Sequence, residues 1–402
     1  MSRAILTLNA GSSSIKFALY GMATAGPQQR LSHGQIEGIG NVPHFIAKDA
    51  EGVTLTEHRW PAAAKLDHEA LLTPLLAWIT SRLGVESLVA VGHRVVHGGE
   101  TWDRPVRLTP AVIASLARLI PLAPLHQPHS LAAVEAVTRL RPGLPQVACF
   151  DTAFHHGMAP TVSRLALPRK YAAEGVRRYG FHGLSYEYIV GRLREQAPAL
   201  AAGRVIAAHL GNGASLCAMR DGHSVDTTMG FTALDGLVMG TRCGSLDPGA
   251  VLYLQQEHGL SVSTVEHMLY NDSGLLGISG ISNDMRTLLA SNDLHAHEAI
   301  DLFVFRIARE IGALTCSLGG LDGLVFSAGI GEHAASVRAA VCARLAWLGV
   351  ACDTDANAGD AGVISTPDSR VQVRVVATDE EAMIATHTRN VLLTPSSAAT
   401  SA

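Results

Sequence analysis

Short apolar runs that end in glycine, asparagine or aspartate recur along this chain. Each run has the length of a buried β-strand, and stretches with the three-to-four-residue periodicity of helices lie between the runs. This alternation predicts α/β layers, in which ligands bind at the carboxyl ends of the strands. The polar residues directly after the runs are therefore the first candidates for function. The predicted strands are 4–8, 89–91, 147–150, 205–210, 323–328 and 371–377.

The chain has 402 residues, which is too long for one ordinary core and predicts two domains. We place the first domain at about 1–150, with the C-terminal helix at about 386–402 packing back onto it, and the second at 151–385. The hairpin patterns at 5–20 and 205–219 both contain tight turns rich in glycine, serine and asparagine, which suggests two similarly built halves. The predicted helices are 68–83, 110–120, 130–140, 185–196, 249–258, 297–318 and 379–392.

Composition excludes several classes of function. The net charge of −4 shows no basic footprint and argues against nucleic acid as a partner. No uninterrupted apolar run approaches the roughly 20 residues of a membrane span. The six cysteines are scattered without a C-x-x-C, so we expect neither a disulfide framework nor a zinc site. The same pattern predicts a cytoplasmic location. His93 and His97 form H-x-x-x-H, a zinc pattern on a helix, but the preceding strand and the following glycines argue against a helix there.

Two glycine- and serine-rich hairpin turns are candidates for holding a phosphate chain. The first runs from Asn9 to Lys16, and its backbone N–H groups, hydroxyls and lysine suit an anion, while Asn9 suits Mg²⁺ or its waters. The second is 211–215. A third glycine-rich segment, 327–332, follows an apolar run and suits a flat ligand such as a nucleotide. None matches the P-loop or the G-x-G-x-x-G fingerprint, and ordinary turns remain the alternative for each segment.

Charged residues near strand ends complete the set. Arg94 and Arg242 lie among glycines, where a planar guanidinium can bind carboxylate or phosphate oxygens. Asp151 ends a predicted strand, a position suited to a metal ligand or a base. Residues 378–381 begin the last helix, and an acidic N-cap is the alternative to a functional role there.

Eleven motifs in order resemble the acetokinase family of the actin/Hsp70/sugar-kinase superfamily over roughly residues 4–390. The resemblance implies an α/β fold of two actin-like (ribonuclease H-like) domains around an active-site cleft, with an N-terminal acetate-binding and a second nucleotide-binding domain. The motifs are N-A-G-S-S-S-I-K (9–16), G-H-R-V-V-H-G-G (92–99), A-P-L-H (123–126), F-D-T-A-F-H (150–155), R-R-Y-G-F-H-G (177–183), H-L-G-N-G-A-S (209–215), S-V-D-T-T-M-G-F-T (224–232), M-G-T-R-C-G (239–244), S-G-L-L-G-I-S-G-I-S-N-D-M-R (273–286), S-A-G-I-G-E (327–332) and T-D-E-E-A-M-I-A (378–385).

The resemblance also implies a reaction and its partners. The implied reaction is reversible, direct in-line phosphoryl transfer from ATP to acetate, which gives acetyl phosphate and ADP. The implied metal ion is Mg²⁺, or Mn²⁺ in its place, and the implied assembly is a homodimer. By motif match, the catalytic residues are Asp151, His182 and Arg242, and the magnesium positions are Asn9 and Glu380. Arg94 corresponds to the residue that holds the substrate carboxylate, and the methyl pocket maps onto Val96, Leu125, Phe181 and Ala233. The ATP-binding residues are Lys16, His209, Leu210, Gly211, Asn212, Gly213, Asp284, Met285, Arg286, Gly329, Ile330, Gly331, Glu332 and His333.

A carboxylate is already a nucleophile at pH 7, so catalysis requires only that the reactants are positioned and that charge on the phosphoryl group is stabilised. Asp151 is then expected to orient an arginine or Mg²⁺ waters, and two arginines beside a phosphoryl group lead to the hypothesis that His182 is protonated.

The chain departs from the family pattern at several positions. Ala233 replaces a usual proline in the methyl pocket and predicts turnover of propionate as well as acetate. Further departures are Gln127, Leu184, Tyr186 and His333, the last of which bears on the phosphate donor. The rival functions are a propionate or butyrate kinase, which would differ in pocket size, and a non-enzymatic ATP-dependent clamp. A nicotinamide dehydrogenase fails on the missing fingerprint.

Overall fold

The structure is a computed structural model that describes residues 3–11, 14–22, 26, 28–61, 66–83, 87–124 and 126–394. The chain forms two compact units: unit 1 comprises Met1–Ala153 and Asp379–Ala402, and unit 2 comprises Phe154–Thr378. The second boundary differs from the predicted one at residue 385. Residues 379–385 belong to unit 1 because the last helix packs on the sheet of that unit.

Unit 1 contains a mixed sheet with the strand order β5-β4-β3-β2-β1-β6-β8-β7. Strands β1 to β5 form an antiparallel meander, and β6 pairs in parallel with both β1 and β8. The elements of this unit are β1 (Ala4–Ala10), β2 (Ser14–Gly21), β3 (Arg30–Glu37), β4 (His44–Asp49), β5 (Thr54–Arg59), α1 (His68–Leu83), β6 (Leu88–Val95), β7 (Val106–Arg107), α2 (Pro110–Ala117), α3 (Gln127–Leu140), β8 (Gln146–Phe150) and, after unit 2 in the chain, α16 (Glu380–Leu393).

Unit 2 contains a second mixed sheet, with the strand order β11-β10-β9-β12-β13. Its elements are α4 (Pro160–Ser163), α5 (Arg169–Ala173), α6 (Gly183–Gln196), α7 (Pro198–Ala201), β9 (Arg204–Leu210), β10 (Ala214–Arg220), β11 (His223–Thr227), α8 (Pro248–Gln256), α9 (Val262–Asn271), α10 (Gly274–Ser279), α11 (Met285–Leu289), α12 (Leu294–Leu318), β12 (Gly323–Ser327), α13 (Ala328–His333), α14 (Ala335–Arg344), α15 (Thr354–Ala358) and β13 (Gln372–Val375).

The two sheets share one plan, which confirms the repeat suggested by the two hairpin patterns. In unit 1 the order β3-β2-β1-β6-β8 places three antiparallel strands beside two parallel ones, and β11-β10-β9-β12-β13 does the same in unit 2. The first hairpin of each sheet carries one of the glycine-rich turns. The fold is therefore α/β with two actin-like domains.

Helices cover the two faces of the unit 1 sheet. Leu8 and Phe17 on one face pack with Leu71 and Leu75 of α1, while Ala18 on the other face packs with α16. The core around Phe17 is tight: a Cβ on Gly34 would lie 2.7 Å from the Phe17 ring and 2.2 Å from the carbonyl oxygen of Ile46. Only glycine fits where β3 passes this ring.

All six predicted strands are confirmed, although their bounds shift by a few residues. The sequence analysis did not predict β3, β4 and β5, whose residues are largely half-buried or exposed. The glycine-rich segment after β12 is a short helix, α13, rather than an open turn. Among the described residues, no helix is both long enough and apolar enough to cross a membrane.

Candidate active site

Three predicted site residues meet at one edge of the unit 1 sheet. Asn9 lies near the end of β1, Arg94 near the end of β6 and Asp151 directly after β8. These strands run parallel, so their carboxyl ends share an edge. Glu380 joins them from the first turn of α16, with its Oε2 at 4.0 Å from Nε of Arg94. The polar residues at the ends of these apolar strands therefore lie together at one edge of the unit 1 sheet.

Arg94 is the centre of this group. Its Nε lies 3.0 Å from both carboxylate oxygens of Asp151, its Nη2 donates to Oδ2 of Asp151, and its Nη1 donates to Oδ1 of Asn9 at 3.1 Å. A guanidinium has five N–H groups. Within the described chain these bonds use the Nε–H, one N–H of Nη2 and one of Nη1. One donor on each terminal nitrogen remains, and the two can bind a further pair of oxygens.

The carboxylates around Arg94 stabilise the charged form of its guanidinium. Burial alone would lower the pKa of Arg94, but Asp151 and Glu380 outweigh that effect and raise it. Asp151 is almost completely buried and lies against the guanidinium. These hydrogen bonds fix the orientation of the guanidinium, and the catalytic role expected of Asp151 stays a prediction.

Asn9 and Glu380 fit a magnesium ion by the chemistry of their donors. Both offer oxygen, the ligand type that Mg²⁺ prefers, and Mg²⁺ commonly takes one or two protein ligands and keeps waters and substrate phosphates for the rest. The described residues contain no group of three or more His, Cys, Asp or Glu side chains placed to hold a metal. Two oxygen donors suit a cation that takes its remaining ligands from water or a substrate.

Lys16 lies on β2, opposite Asn9 of β1, with an exposed side chain. Burial and the neighbouring Glu380 raise the pKa of Glu381, and the charge of Lys16 acts in the opposite direction by lowering it. Ser12 and Ser13 of the predicted phosphate-binding turn lie outside the described residues. Lys16 thus lies in unit 1, and its contact with ATP stays a prediction.

His182 and Arg242 both lie close to Gly213 in unit 2. A Cβ on Gly213 would lie 2.6 Å from Nη2 of Arg242 and 3.4 Å from Nε2 of His182. Arg242 is held by its Nη1, which donates to the carbonyl oxygen of Ala233 at 2.6 Å. Glycine at 213 therefore lets an arginine and a histidine approach the backbone of the second hairpin.

A cavity of about 470 Å³ lies beside this hairpin in unit 2. It combines backbone of the 211–213 turn, the start of α11 and the short helix α13. Eight predicted ATP-binding residues line it, together with three that the sequence analysis did not name. The predicted residues are Gly211, Asn212, Asp284, Met285, Arg286, Gly329, Ile330 and His333, and the additional ones are Asn283, Leu289 and Ala334.

The remaining predicted ATP-binding residues of unit 2 do not line this cavity. The side chain of Leu210 is fully buried, and Gly331 is buried within α13. Glu332 accepts hydrogen bonds from the backbone N–H groups of Ala328 and Thr378, at 2.8 and 3.2 Å, and so holds the turn that leads into α13. His209 stacks on His182 with ring centroids 4.2 Å apart.

The residues predicted for the methyl pocket are distributed over both units. Val96 is buried in unit 1 and Phe181 is buried in unit 2. Ala233 also lies in unit 2, where its carbonyl oxygen anchors Arg242. Leu125 lies outside the described residues.

Comparisons with known proteins identify the family of this chain. The model of the acetokinase family matches residues 4–386. This chain belongs to the acetokinase family. An acetate kinase of Rhodopseudomonas palustris is 56% identical over 391 residues, which cover 96% of this chain and 98% of that protein. A propionate kinase structure from Francisella tularensis is 37% identical with a TM-score of 0.91, and an acetate kinase structure from Porphyromonas gingivalis is 38% identical with a TM-score of 0.87; each covers 97% of this chain and 100% of its own.

As an acetokinase, the protein is a kinase whose acceptor is a carboxylate and whose co-substrate is ATP. This assignment suits an arginine with two remaining donors in one unit and a nucleotide-sized cavity in the other. The zinc alternative for His93 and His97 does not hold, because His93 lies within strand β6, which ends at Val95, so the pair is not on a helix.

Two residues of this acetokinase site adopt the left-handed backbone conformation without being glycine. His182 has φ of 59° and precedes α6, and Ala328 has φ of 64° and begins α13. Such conformations are costly for side-chain-bearing residues and persist where surrounding contacts impose them. Both lie next to residues predicted to bind substrate, which places backbone strain at the site.

Arg338 supports the site, and sequence reasoning missed it. It is completely buried, and its guanidinium donates to the carbonyl oxygens of Gly331 and Glu332 at 3.1 and 2.7 Å and to Asn357 and Asp360. The signal for Arg338 in the sequence is an arginine inside a helical segment with apolar neighbours. Arg338 fixes the end of α13, which lines the cavity.

Two of the departures from the acetokinase pattern have structural explanations. Gln127 is fully buried, and its amide joins His97, just after β6, to the carbonyl oxygen of Leu116 at the end of α2. The phenol of Tyr186 reaches Ser215, the residue that contacts His182. Leu184 is buried in the first turn of α6, and the structure gives no account of its exchange.

Proposed function

We propose that the protein catalyses reversible transfer of the γ-phosphoryl group of ATP to acetate, giving acetyl phosphate and ADP. The observation that carries this proposal is Arg94, whose guanidinium is held by Asp151 and Asn9 and has two N–H donors without an acceptor among the described residues. Membership of the acetokinase family and 56% identity to an acetate kinase support acetate as the acceptor.

The transfer is direct and in line. An acetate oxygen forms a bond to the γ-phosphorus while the bond from that phosphorus to the β–γ bridging oxygen breaks, and ADP leaves. Acetate is ionised at neutral pH and needs no general base, so catalysis rests on orientation and charge stabilisation. In this proposal Arg94 orients the acceptor, and Asp151 orients Arg94.

His182 and Arg242 act on the transferring phosphoryl group in the same proposal. The approach of both to Gly213, on the turn of the second hairpin, supports a common target for their N–H groups. Donors preorganised for the charge of a transition state contribute more than donors that must reorganise. The Ala233 carbonyl oxygen fixes Arg242 in advance.

ATP is proposed to bind with its nucleoside in the unit 2 cavity and its phosphates toward the glycine-rich turns. The volume of about 470 Å³ suits a nucleoside, and Gly211 and Gly329 offer backbone without side-chain bulk. Lys16 and the turn at Gly213 would then bind phosphate oxygens. Asn9 and Glu380 would hold Mg²⁺, which when bound neutralises phosphate charge and orients the transferring group.

Propionate is the second candidate acceptor, because Ala233 replaces the proline expected in the methyl pocket and leaves more room there. The propionate kinase from Francisella tularensis shares the fold at 37% identity and is compatible with this alternative. We also propose a homodimer, supported by exposed apolar side chains on α8 and α9 such as Leu252 and Val262. We further propose a cytoplasmic location, supported by six cysteines whose scattered positions do not have the spacing of a disulfide framework.

The test is a hydroxamate assay for acyl phosphate with ATP, Mg²⁺ and acetate, propionate or butyrate. We expect acetyl hydroxamate at the highest kcat/KM, and ATP formation from acetyl phosphate and ADP in the reverse direction. Failure to form any acyl phosphate, with ATP binding retained, would overturn the proposal in favour of a non-enzymatic clamp. A higher kcat/KM for propionate would replace acetate by the second candidate.

A further inference from the structure

A chain of three hydrogen-bonding side chains lies behind His182 in unit 2. Tyr186 is fully buried on α6, and its phenolic oxygen lies 2.5 Å from Oγ of Ser215 on β10. The same Oγ lies 2.8 Å from Nδ1 of His182. Ser215 is also fully buried, so the three groups are shielded from water on the Ser215 side. The direction of the two hydrogen bonds determines which nitrogen of His182 carries the proton.

The phenol of Tyr186 keeps its proton, because burial raises its pKa well above the usual range. A buried O–H requires an acceptor, and within the described residues Ser215 Oγ is the side-chain acceptor in reach. Tyr186 therefore donates to Ser215. The hydroxyl hydrogen of Ser215 is then available to Nδ1 of His182, and a neutral imidazole that accepts at Nδ1 carries its hydrogen on Nε2.

The surroundings of His182 favour the neutral ring. Its imidazole stacks on that of His209 at 4.2 Å between centroids and 16° between planes. Nε2 of His182 borders the same point beside Gly213 as the permanently charged guanidinium of Arg242. The titratable or charged groups near His182 and its hydroxyl partner include His209, Arg242 and Tyr186, and Arg242 opposes a second positive charge.

We propose that Tyr186 and Ser215 are positioning residues that hold His182 as the neutral Nε2–H tautomer, so that His182 donates one hydrogen bond to the transferring phosphoryl group. The proposal rests on the function proposed above, in which His182 acts on that group. It replaces the sequence-based hypothesis of a protonated His182.

The direct test is ¹⁵N NMR of histidine-labelled protein at pH 7, with the His182 signals assigned by their loss in His182→Asn. We expect the chemical shifts of a neutral ring with hydrogen on Nε2. Signals of the Nδ1–H tautomer or of an imidazolium would overturn the proposal. This measurement needs no turnover, so it separates a wrong tautomer from a wrong proposed function, which the hydroxamate assay tests.

The kinetic test uses Tyr186→Phe, which removes only the phenolic oxygen. We expect kcat to fall roughly tenfold with the KM values for acetate and ATP unchanged, because the interaction acts through a donor used in the transition state. The His182 signals should also shift toward a mixture of tautomers. Tyr171→Phe removes a phenol from an exposed side chain and should leave kcat unchanged. Unchanged kcat and unchanged His182 signals in a folded Tyr186→Phe protein would overturn the proposal.

Discussion

Arg94 and Asp151 lie edge to edge, with Nε of the arginine 3.0 Å from both oxygens of the carboxylate and Nη2 donating to Oδ2. Asp151 takes one edge of the guanidinium and leaves donors on the terminal nitrogens. The geometry depends on a planar fork, which lysine does not have.

Arg94→Lys should therefore lower kcat/KM for acetate roughly a hundredfold or more while the KM for ATP changes little. Loss of a charge-assisted, two-point hydrogen bond to a carboxylate is the reason. Steady-state kinetics with varied acetate measures the effect. Arg104→Lys is the matched control, because Arg104 is exposed and paired with Asp103 at the surface. An Arg94→Lys enzyme within threefold of the unsubstituted protein would contradict the role of Arg94.

Ala233→Pro should narrow the acceptor range. One methylene in a hydrophobic pocket changes selectivity by about 1–3 kcal/mol, which corresponds to a factor of roughly 10 to 200. The unsubstituted protein should turn over propionate at a kcat/KM near that for acetate, and the proline variant should lower the propionate-to-acetate ratio about tenfold. A propionate kcat/KM several hundredfold below that for acetate in the unsubstituted protein would refute the prediction.

Glu380→Gln should raise the Mg²⁺ concentration needed for half-maximal rate by roughly 10- to 100-fold, because an amide is a weaker ligand than a carboxylate for a hard cation. The measurement is initial rate against free Mg²⁺ at saturating ATP and acetate. Glu135→Gln is the control, since Glu135 is exposed on α3 and pairs only loosely with Arg139. If the Mg²⁺ dependence of Glu380→Gln matches that of the control, Glu380 does not hold the metal.

Arg338→Met should destabilise the protein by about 3–5 kcal/mol and raise the KM for ATP. The substitution leaves the carbonyl oxygens of Gly331 and Glu332 and the side chain of Asn357 without their buried donor. Urea unfolding measures the first effect and steady-state kinetics the second. Arg309→Met, at an exposed ion pair with Glu310, should do neither. Equal unfolding midpoints for the two variants would show that the Arg338 network is dispensable.

His155 should make stability depend on pH. Burial lowers its pKa to about 4, and its ring contacts Ser224 Oγ at 2.7 Å and the carbonyl oxygen of Phe181 at 2.9 Å. Because the folded-state pKa lies below the unfolded value of about 6.5, the unfolded state binds more protons between these values. The free energy of unfolding therefore falls as the pH falls from about 6.5 to 4.

His155→Gln removes this titration. Between pH 7.5 and pH 5 its free energy of unfolding should fall by about 2 kcal/mol less than that of the unsubstituted protein. Urea titrations at the two pH values measure the difference. His267→Gln, at an exposed position on α9, should retain the full pH dependence. An identical loss for His155→Gln and His267→Gln would contradict the prediction.

Patterns along the chain predict strands that are buried on both faces, because such strands are continuous apolar runs. That is the case for β1, β8 and β12, and the polar residues that end β1 and follow β8 lie at the site. Strand β5 reads Thr-Leu-Thr-Glu-His-Arg, with no buried face, and its place follows only from pairing with β4. Local sequence does not contain that information.

Contacts between distant side chains could not be predicted in the same way. Tyr186 and Ser215 are 29 positions apart, and Arg338 and Asn357 are 19 apart. Nothing in the residues near Tyr186 specifies a serine as its partner, although its departure from the family pattern marked the position. The motifs therefore identified the groups expected to touch substrates, and the structure was needed for the groups that hold them.

Unit 1 is built from two separate stretches of the chain, since α16 returns to the sheet begun by β1. Strands β1, β6 and β8 precede unit 2 in the sequence and α16 follows it, so these strands are synthesised well before the helix that covers their sheet. Domains generally fold in the order in which they emerge. Unit 2 is continuous in the sequence and can fold as soon as it has emerged, whereas unit 1 is complete only after α16 has followed. A nascent chain that already holds the unit 2 cavity would still lack Glu380, the proposed magnesium ligand.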